Sequence, residues 1–96
     1  MERTPDGRYV VIDGRRWRAT DPDIPEDVAA ELRKDLMSAR RAVGAALRAK
    51  DADAEKAARA RVQSAKVRLG ERGTPWWEQT GEERRARWEG TSARPD

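Results

Sequence analysis

The chain has 96 residues, no Cys, no His, and 21 basic against 18 acidic side chains, which gives a net charge of +3 at pH 7. Its length indicates a single small domain; without Cys or His it lacks disulfides, thiolates and the usual general base and metal ligand. No apolar stretch approaches the length of a membrane span, so we expect a cytoplasmic protein with no membrane partner.

The segment 8–19 predicts a β-hairpin. Two strand-like runs flank Asp13-Gly14, a pair that tolerates the positive φ angles of a type I′ turn. With a two-residue loop, Val10 faces Trp17 across the hairpin, and Tyr9 faces Arg18. An isolated hairpin is only marginally stable in water, so we expect it to pack on the rest of the chain.

Alternation divides the hairpin side chains between two faces. The face expected to pack on the helices carries Val10, Ile12, Trp17 and Ala19. The opposite face carries Tyr9, Val11, Arg16 and Arg18. On that face Tyr9 and Arg18 are close enough for a cation–π contact. Together with Arg15, these arginines form either a solvated edge that discourages aggregation or a small aromatic-basic binding face.

The helical body is predicted over residues 24–49 and 52–70. Asp23 and Glu26 resemble a capping box before the first segment. The first apolar stripe is Val28, Leu32, Leu36, Ala39, Val43 and Leu47, widened by Met37. The second is Ala54, Ala58, Val62, Ala65 and Leu69, with Gly70 or Gly73 as a stop signal.

Residues 25–69 allow two arrangements. The stripe continues in phase across residues 50–55, which would suit one long helix in a coiled-coil dimer. The charge pattern favours a break, because each half begins acidic and ends basic in accord with its own helix dipole. Asp51 or Asp53 could then cap the second helix. We therefore favour an antiparallel helical hairpin, in which the charges of the two helices largely compensate each other.

The C-terminal part predicts a short helix. Residues 74–78 indicate a helix start with Pro75 at its first position. Thr80 and Glu83 form a second capping-box pattern, which predicts a helix over 80–89, followed by a disordered tail over 91–96. Of the adjacent Trp76 and Trp77, either one packs on the helix ends while the other covers the hairpin, or one of them anchors a partner.

The sequence contains no pattern that indicates catalysis. There is no Gly-rich phosphate loop, and no motif places a basic partner beside Ser38, Ser64 or Ser92. The acidic residues between 21 and 27 are explained by helix capping. We therefore predict a non-enzymatic protein with no cofactor and no metal site.

These observations predict an α+β, mainly helical fold: an N-terminal β-hairpin packed on an antiparallel helical hairpin, with a short C-terminal helix, as one domain over residues 1–90. The predicted function is a protein-interaction or regulatory module, with an unknown protein partner or self-association. The alternative is a small nucleic-acid-binding protein that uses the Arg-rich hairpin, for which we expect only weak, non-specific binding. The candidate binding face is Tyr9, Arg15, Arg16, Arg18, Trp76 and Trp77.

Four sequence blocks also carry a family resemblance: DGRRWRATDP followed by IPE, then L-SARRAVGAA, then ARARV-SAK--LGERG, and finally PWW. In this combination the chain resembles a family of short uncharacterised bacterial proteins, over roughly Arg8 to Trp77. Some relatives carry an automatic label of biopolymer transporter Tol, although this sequence has neither a membrane segment nor a propeller repeat. The resemblance implies a standalone bacterial domain and transfers no catalytic or binding residue.

Overall fold

The computed structural model describes residues 2–90, which form a small antiparallel sheet, two long helices and a short C-terminal helix. The strands are β1 (Glu2–Arg3), β2 (Tyr9–Ile12) and β3 (Arg15–Arg18). The helices are α1 (Glu26–Ala49), α2 (Ala52–Arg68) and α3 (Gly81–Glu89), and a 3₁₀ turn over Trp76–Glu78 precedes α3. The predicted fold class is confirmed.

The β2–β3 hairpin has the predicted register. Val10 pairs with Trp17 and Tyr9 pairs with Arg18. The turn is closed by Asp13 at φ 52° and Gly14 at φ 78°, the two positive φ angles that a type I′ turn requires.

A third strand, β1, was not predicted from the sequence. It adds to the free edge of β2, with Arg3 opposite Val10. The turn between β1 and β2 is closed by Asp6, whose Oδ1 accepts hydrogen bonds from Thr4 Oγ1 at 2.6 Å and from the backbone N–H of Arg8 at 3.0 Å. Pro5-Asp6-Gly7 is a recognisable turn sequence, so the signal for this strand was present.

Residues 26–68 form two packed helices, and the alternative of one long helix is excluded. Lys50 adopts a left-handed conformation at φ 55° and ends α1, and Asp51 begins α2 by accepting a hydrogen bond from Ala54 N–H at 3.0 Å. The chain therefore measures 41 × 40 × 22 Å, whereas one helix over residues 25–69 would be about 67 Å long.

The two predicted capping boxes have different outcomes. The box at the start of α3 is confirmed: Thr80 Oγ1 accepts from Glu83 N–H at 3.1 Å, and Glu83 Oε1 accepts from Thr80 N–H at 2.8 Å. The prediction of a box formed by Asp23 and Glu26 at the start of α1 is wrong, because the residue at the capping position is Pro25, which has no side-chain acceptor. Pro75 likewise lies at the capping position of the 3₁₀ turn, one residue before its predicted place.

The hydrophobic core lies between α1 and α2 at the end nearest the hairpin. Its buried residues are Ile24, Ala29, Leu32, Leu36, Ala65 and Leu69, with Val28, Val62 and Trp88 packed against them. The predicted α1 stripe fails at its end: Leu47 is 52% exposed, and the neighbouring Ala46 takes the buried position. Met37 is also exposed and does not widen the core.

Asp21 lies at the junction between the hairpin and the helices. Its buried carboxylate accepts hydrogen bonds from the guanidinium groups of Arg84 and Arg87 on α3. Burial alone would raise the pKa of Asp21, but the hydrogen bonds from the two arginines outweigh it and lower that pKa, so the group stays ionised. The interpretation of Asp21 as part of a helix-capping cluster is wrong, because its carboxylate accepts from Asp23 N–H at 2.9 Å in the loop and from the two arginines of α3, and from no N–H group of α1.

Within residues 2–90, none of the helices combines the length and apolar character needed to cross a membrane. The predicted tail over 91–96 lies outside the described residues.

Candidate functional site

The hairpin presents two surfaces, and the predicted site residues are divided between them and the interior. Trp76 belongs to the interior: it is 8% exposed, and its Nε1–H donates to the carbonyl of Ala19 at 3.0 Å. The guanidinium of Arg84 lies 5.3 Å from its ring centroid. Trp76 is thus a structural residue that joins the 3₁₀ turn to the hairpin.

The outward face of the hairpin is braced by stacked rings and guanidinium groups. Tyr9 makes an edge-to-face contact with Trp77, with centroids 5.6 Å apart, and Trp77 in turn makes one with Trp76 at 5.1 Å. Arg8 lies 4.9 Å over the ring of Trp77, and Arg16 lies 4.3 Å over the ring of Tyr9. This face therefore fastens the sheet to the C-terminal segment.

Two of the predicted arginines take positions other than those expected. Arg18 lies 5.8 Å over Trp77, and its Nη1 donates to the carbonyl of Gly73 at 2.7 Å. The cation–π partner of Tyr9 is therefore Arg16, its diagonal neighbour. Arg15 lies 4.9 Å over Trp17, so it belongs to the opposite face of the hairpin.

The inward face of the hairpin borders an open cleft. Val10, Ile12 and Trp17 form one wall of a space of about 660 Å³, and α1 and α2 form the other with Val43 and Val62 among its lining residues. Trp17 and Ile12 each remain 42% exposed. The expectation that Trp17 is a core residue is wrong: its face is turned towards the helices, but the cleft separates much of its ring from them.

The cleft is strongly basic. Its charged lining residues are Arg3, Arg18, Arg40, Arg59, Lys66, Arg72 and the single carboxylate Glu71. Lys66 is largely buried, with 14% of its side chain exposed, and its Nζ lies 3.9 Å from Glu71 Oε1 and 5.9 Å from the ring centroid of Trp17.

The pKa of Lys66 reports the local charge. Burial lowers this pKa, Glu71 opposes the shift, and the neighbouring positive charges of Arg72 and Arg40 lower it further. Arg40 and Arg72 are therefore both close enough to Lys66 for their charges to act on it. Sequence reasoning missed this group because its members are far apart in the chain and belong to α1, α2 and the loop after α2.

No group of three or more Asp or Glu side chains within residues 2–90 is placed to hold a metal ion. Comparison of the chain with protein-family models, with curated proteins and with solved structures gives no match. The resemblance to short bacterial proteins therefore stays a prediction, and the function has to be argued from the two surfaces of the hairpin.

Proposed function

We propose that the chain is a non-enzymatic protein-interaction module and that its binding surface is the cleft between the hairpin and the two long helices. The observation that carries the proposal is the placement of Trp17. Trp17 is 42% exposed and lies at a concave surface whose opposite wall includes Val43 and Val62. Binding sites are typically concave and largely apolar, and Trp is enriched among the residues that dominate interface energy.

Trp17 is also held in place before any partner binds. It pairs with Val10 in the hairpin, and the guanidinium of Arg15 lies against its ring. A side chain that is already ordered loses less entropy on association, which favours a role as an anchor.

Nucleic-acid binding is the alternative, and it would use the outward face. Arg8 and Arg16 supply positive charge there, but the rings of Tyr9 and Trp77 are already in contact with guanidinium groups and with each other. Because non-specific binding of single strands depends on ring faces that can stack on bases, this arrangement favours the alternative less.

The experiment is site-specific photocrosslinking in native lysate, with and without nuclease. A benzophenone side chain replaces Ile12 at the edge of the cleft, and in a control it replaces Met37, which is exposed on α1 and does not line the cleft. We expect a nuclease-resistant protein adduct from position 12, absent from position 37, that disappears in a Trp17→Ala background and persists in an Arg16→Ala background. Adducts that require nucleic acid and disappear with Arg16→Ala would overturn the proposal in favour of the alternative.

A further inference from the structure

The net positive charge of the residues that line the cleft exceeds the net charge of the whole chain. Its lining contributes six basic side chains and one acidic side chain, whereas the full chain has a net charge of +3. The guanidinium of Arg18 points to Gly73, and without it the lining still has five basic side chains against Glu71. The remainder of the chain is therefore slightly acidic, and the basic character is a local property of this surface.

Part of this charge is not neutralised by the chain itself. Within residues 2–90, Arg3, Arg40 and Arg72 form no ion pair with a carboxylate. Arg40 and Arg72 also act on Lys66 as like charges. Repulsion between these like charges raises the free energy of the unbound protein, and an incoming anion would reduce that repulsion.

The apolar wall decides which kind of anion fits. Trp17, Ile12 and Val43 face the same space as the cations. A nucleic-acid duplex could pair its phosphates with the arginines, but its bases are stacked within the helix and would bring no apolar group to this wall. A polypeptide with acidic and large apolar side chains satisfies both.

We propose that the occupant of the cleft is an acidic segment of a partner protein, in which Asp or Glu side chains adjoin at least one large apolar side chain. The apolar side chain packs between Trp17 and the valines of α1 and α2, and the carboxylates pair with Arg40 and Arg72. The volume of about 660 Å³ lies within the range of ligand-sized pockets, which suits a short segment. This inference rests on the proposed function and specifies the chemistry of the partner.

The test is selection of a random peptide library, displayed on phage, against the full chain. We expect the selected peptides to be enriched in Asp and Glu next to Leu, Phe or Trp. Titration calorimetry with the tightest peptide should show a loss of affinity of about tenfold when its acidic residues are changed to Asn and Gln, and an affinity that falls with added salt.

Variants of the chain locate the site. Arg40→Gln combined with Arg72→Gln should weaken the peptide about tenfold, and Trp17→Ala at least about thirtyfold. The matched control combines Arg41→Gln with Arg85→Gln, which removes the same charge from exposed positions that do not line the cleft and should change affinity less than about twofold. Circular dichroism melting checks that every variant is folded.

The inference is overturned if the selection gives no binders, if the binders are neutral or basic, or if the control variant weakens them as much as the cleft variant does. It is also overturned if a DNA or RNA oligonucleotide binds the cleft more tightly than the selected peptide. Its failure can be told apart from failure of the proposed function. A nuclease-resistant adduct at position 12 that is unaffected by the double substitution at Arg40 and Arg72 would retain the interaction module and reject the acidic partner.

Discussion

Asp21 and Arg87 form a buried ion pair between the end of the hairpin and the C-terminal helix, with only 0% and 7% of the two side chains exposed. Arg87 also donates to the carbonyl of Arg68 at 3.2 Å and to Gln79 Oε1 at 2.5 Å. The backbone N–H of Asp21 donates to the carbonyl of Leu69 at 3.0 Å. This junction holds α3 against the end of α2 and keeps the 3₁₀ turn in place beneath the outward face of the sheet.

Asp21→Asn should destabilise the fold by about 3–5 kcal/mol, because it leaves buried guanidinium groups without their counter-charge. Asp23→Asn is the matched control: Asp23 pairs with the same Arg84, but 59% of its side chain is exposed. The control should cost less than about 1 kcal/mol. Urea denaturation measures both, and equal losses would show that the buried pair contributes no more than the exposed one.

The same carboxylate predicts an acid-sensitive fold. Since the pKa of Asp21 is lower in the folded chain than in the unfolded chain, its contribution is complete above the unfolded value of about 3.9. That contribution is lost as the pH falls from there through the lower folded-state pKa. Wild type and Asp21→Asn should therefore differ most near neutral pH and converge in strong acid. A difference in unfolding free energy that stays constant down to low pH would contradict this assignment.

The parts of the fold that were predicted from the sequence depend on neighbouring residues. Asp13-Gly14 set the hairpin and its register, and the Thr80–Glu83 box set the start of α3. Asp51, one of two predicted caps, begins α2. Each of these signals acts over at most a few residues, so the local sequence is sufficient to predict the turn or the helix start.

Two of the predictions that failed concern contacts between distant residues. Asp21 resembles a helix cap locally, but its partners Arg84 and Arg87 are 63 and 66 residues away. The alternation of side chains along the hairpin correctly predicted that Trp17 lies on the face turned towards the helices. It did not predict the width of the cleft between that face and the helices. That width depends on where the outward-face contacts and the Asp21 junction hold the sheet, which no local pattern encodes.

Trp76 and Trp17 should differ in their effect on stability. Trp76→Ala removes a buried ring and its hydrogen bond to Ala19, and we expect a loss of about 3–5 kcal/mol. Trp17→Ala should cost only about 1 kcal/mol, because much of its surface already contacts water. Thermal melts of the two variants measure the difference; a Trp17→Ala loss as large as that of Trp76→Ala would show that the cleft is closed in solution.

Lys50→Gly should stabilise the chain. Lys50 is held at φ 55° at the end of α1, a conformation that costs a non-glycine residue about 1 kcal/mol. For a chain of this size, the gain should raise Tm by about 4–8 °C. The control Ala49→Gly, at the last residue of α1, should lower it. If both substitutions lower Tm, the left-handed conformation at position 50 is incorrect.

Gly70→Ala should destabilise the chain more than Gly73→Ala, although the two glycines have nearly the same positive φ, 83° and 81°. Both substitutions place an L side chain in the left-handed region, which costs about 1–2 kcal/mol.

At position 70 the new Cβ would also lie 3.1 Å from Asp21 Cβ and 3.1 Å from Trp76 Cδ1, whereas at position 73 it would meet only Val67 at 3.8 Å or more. Because both of these neighbours of position 70 are buried, the methyl group requires Asp21 and Trp76 to shift by a few tenths of an ångström. Urea denaturation should therefore show the larger loss for Gly70→Ala, together with a change in the near-ultraviolet circular dichroism of the tryptophans that Gly73→Ala does not produce. Equal losses without that spectral change would mean that position 70 has room for a side chain and that the junction does not pack against it.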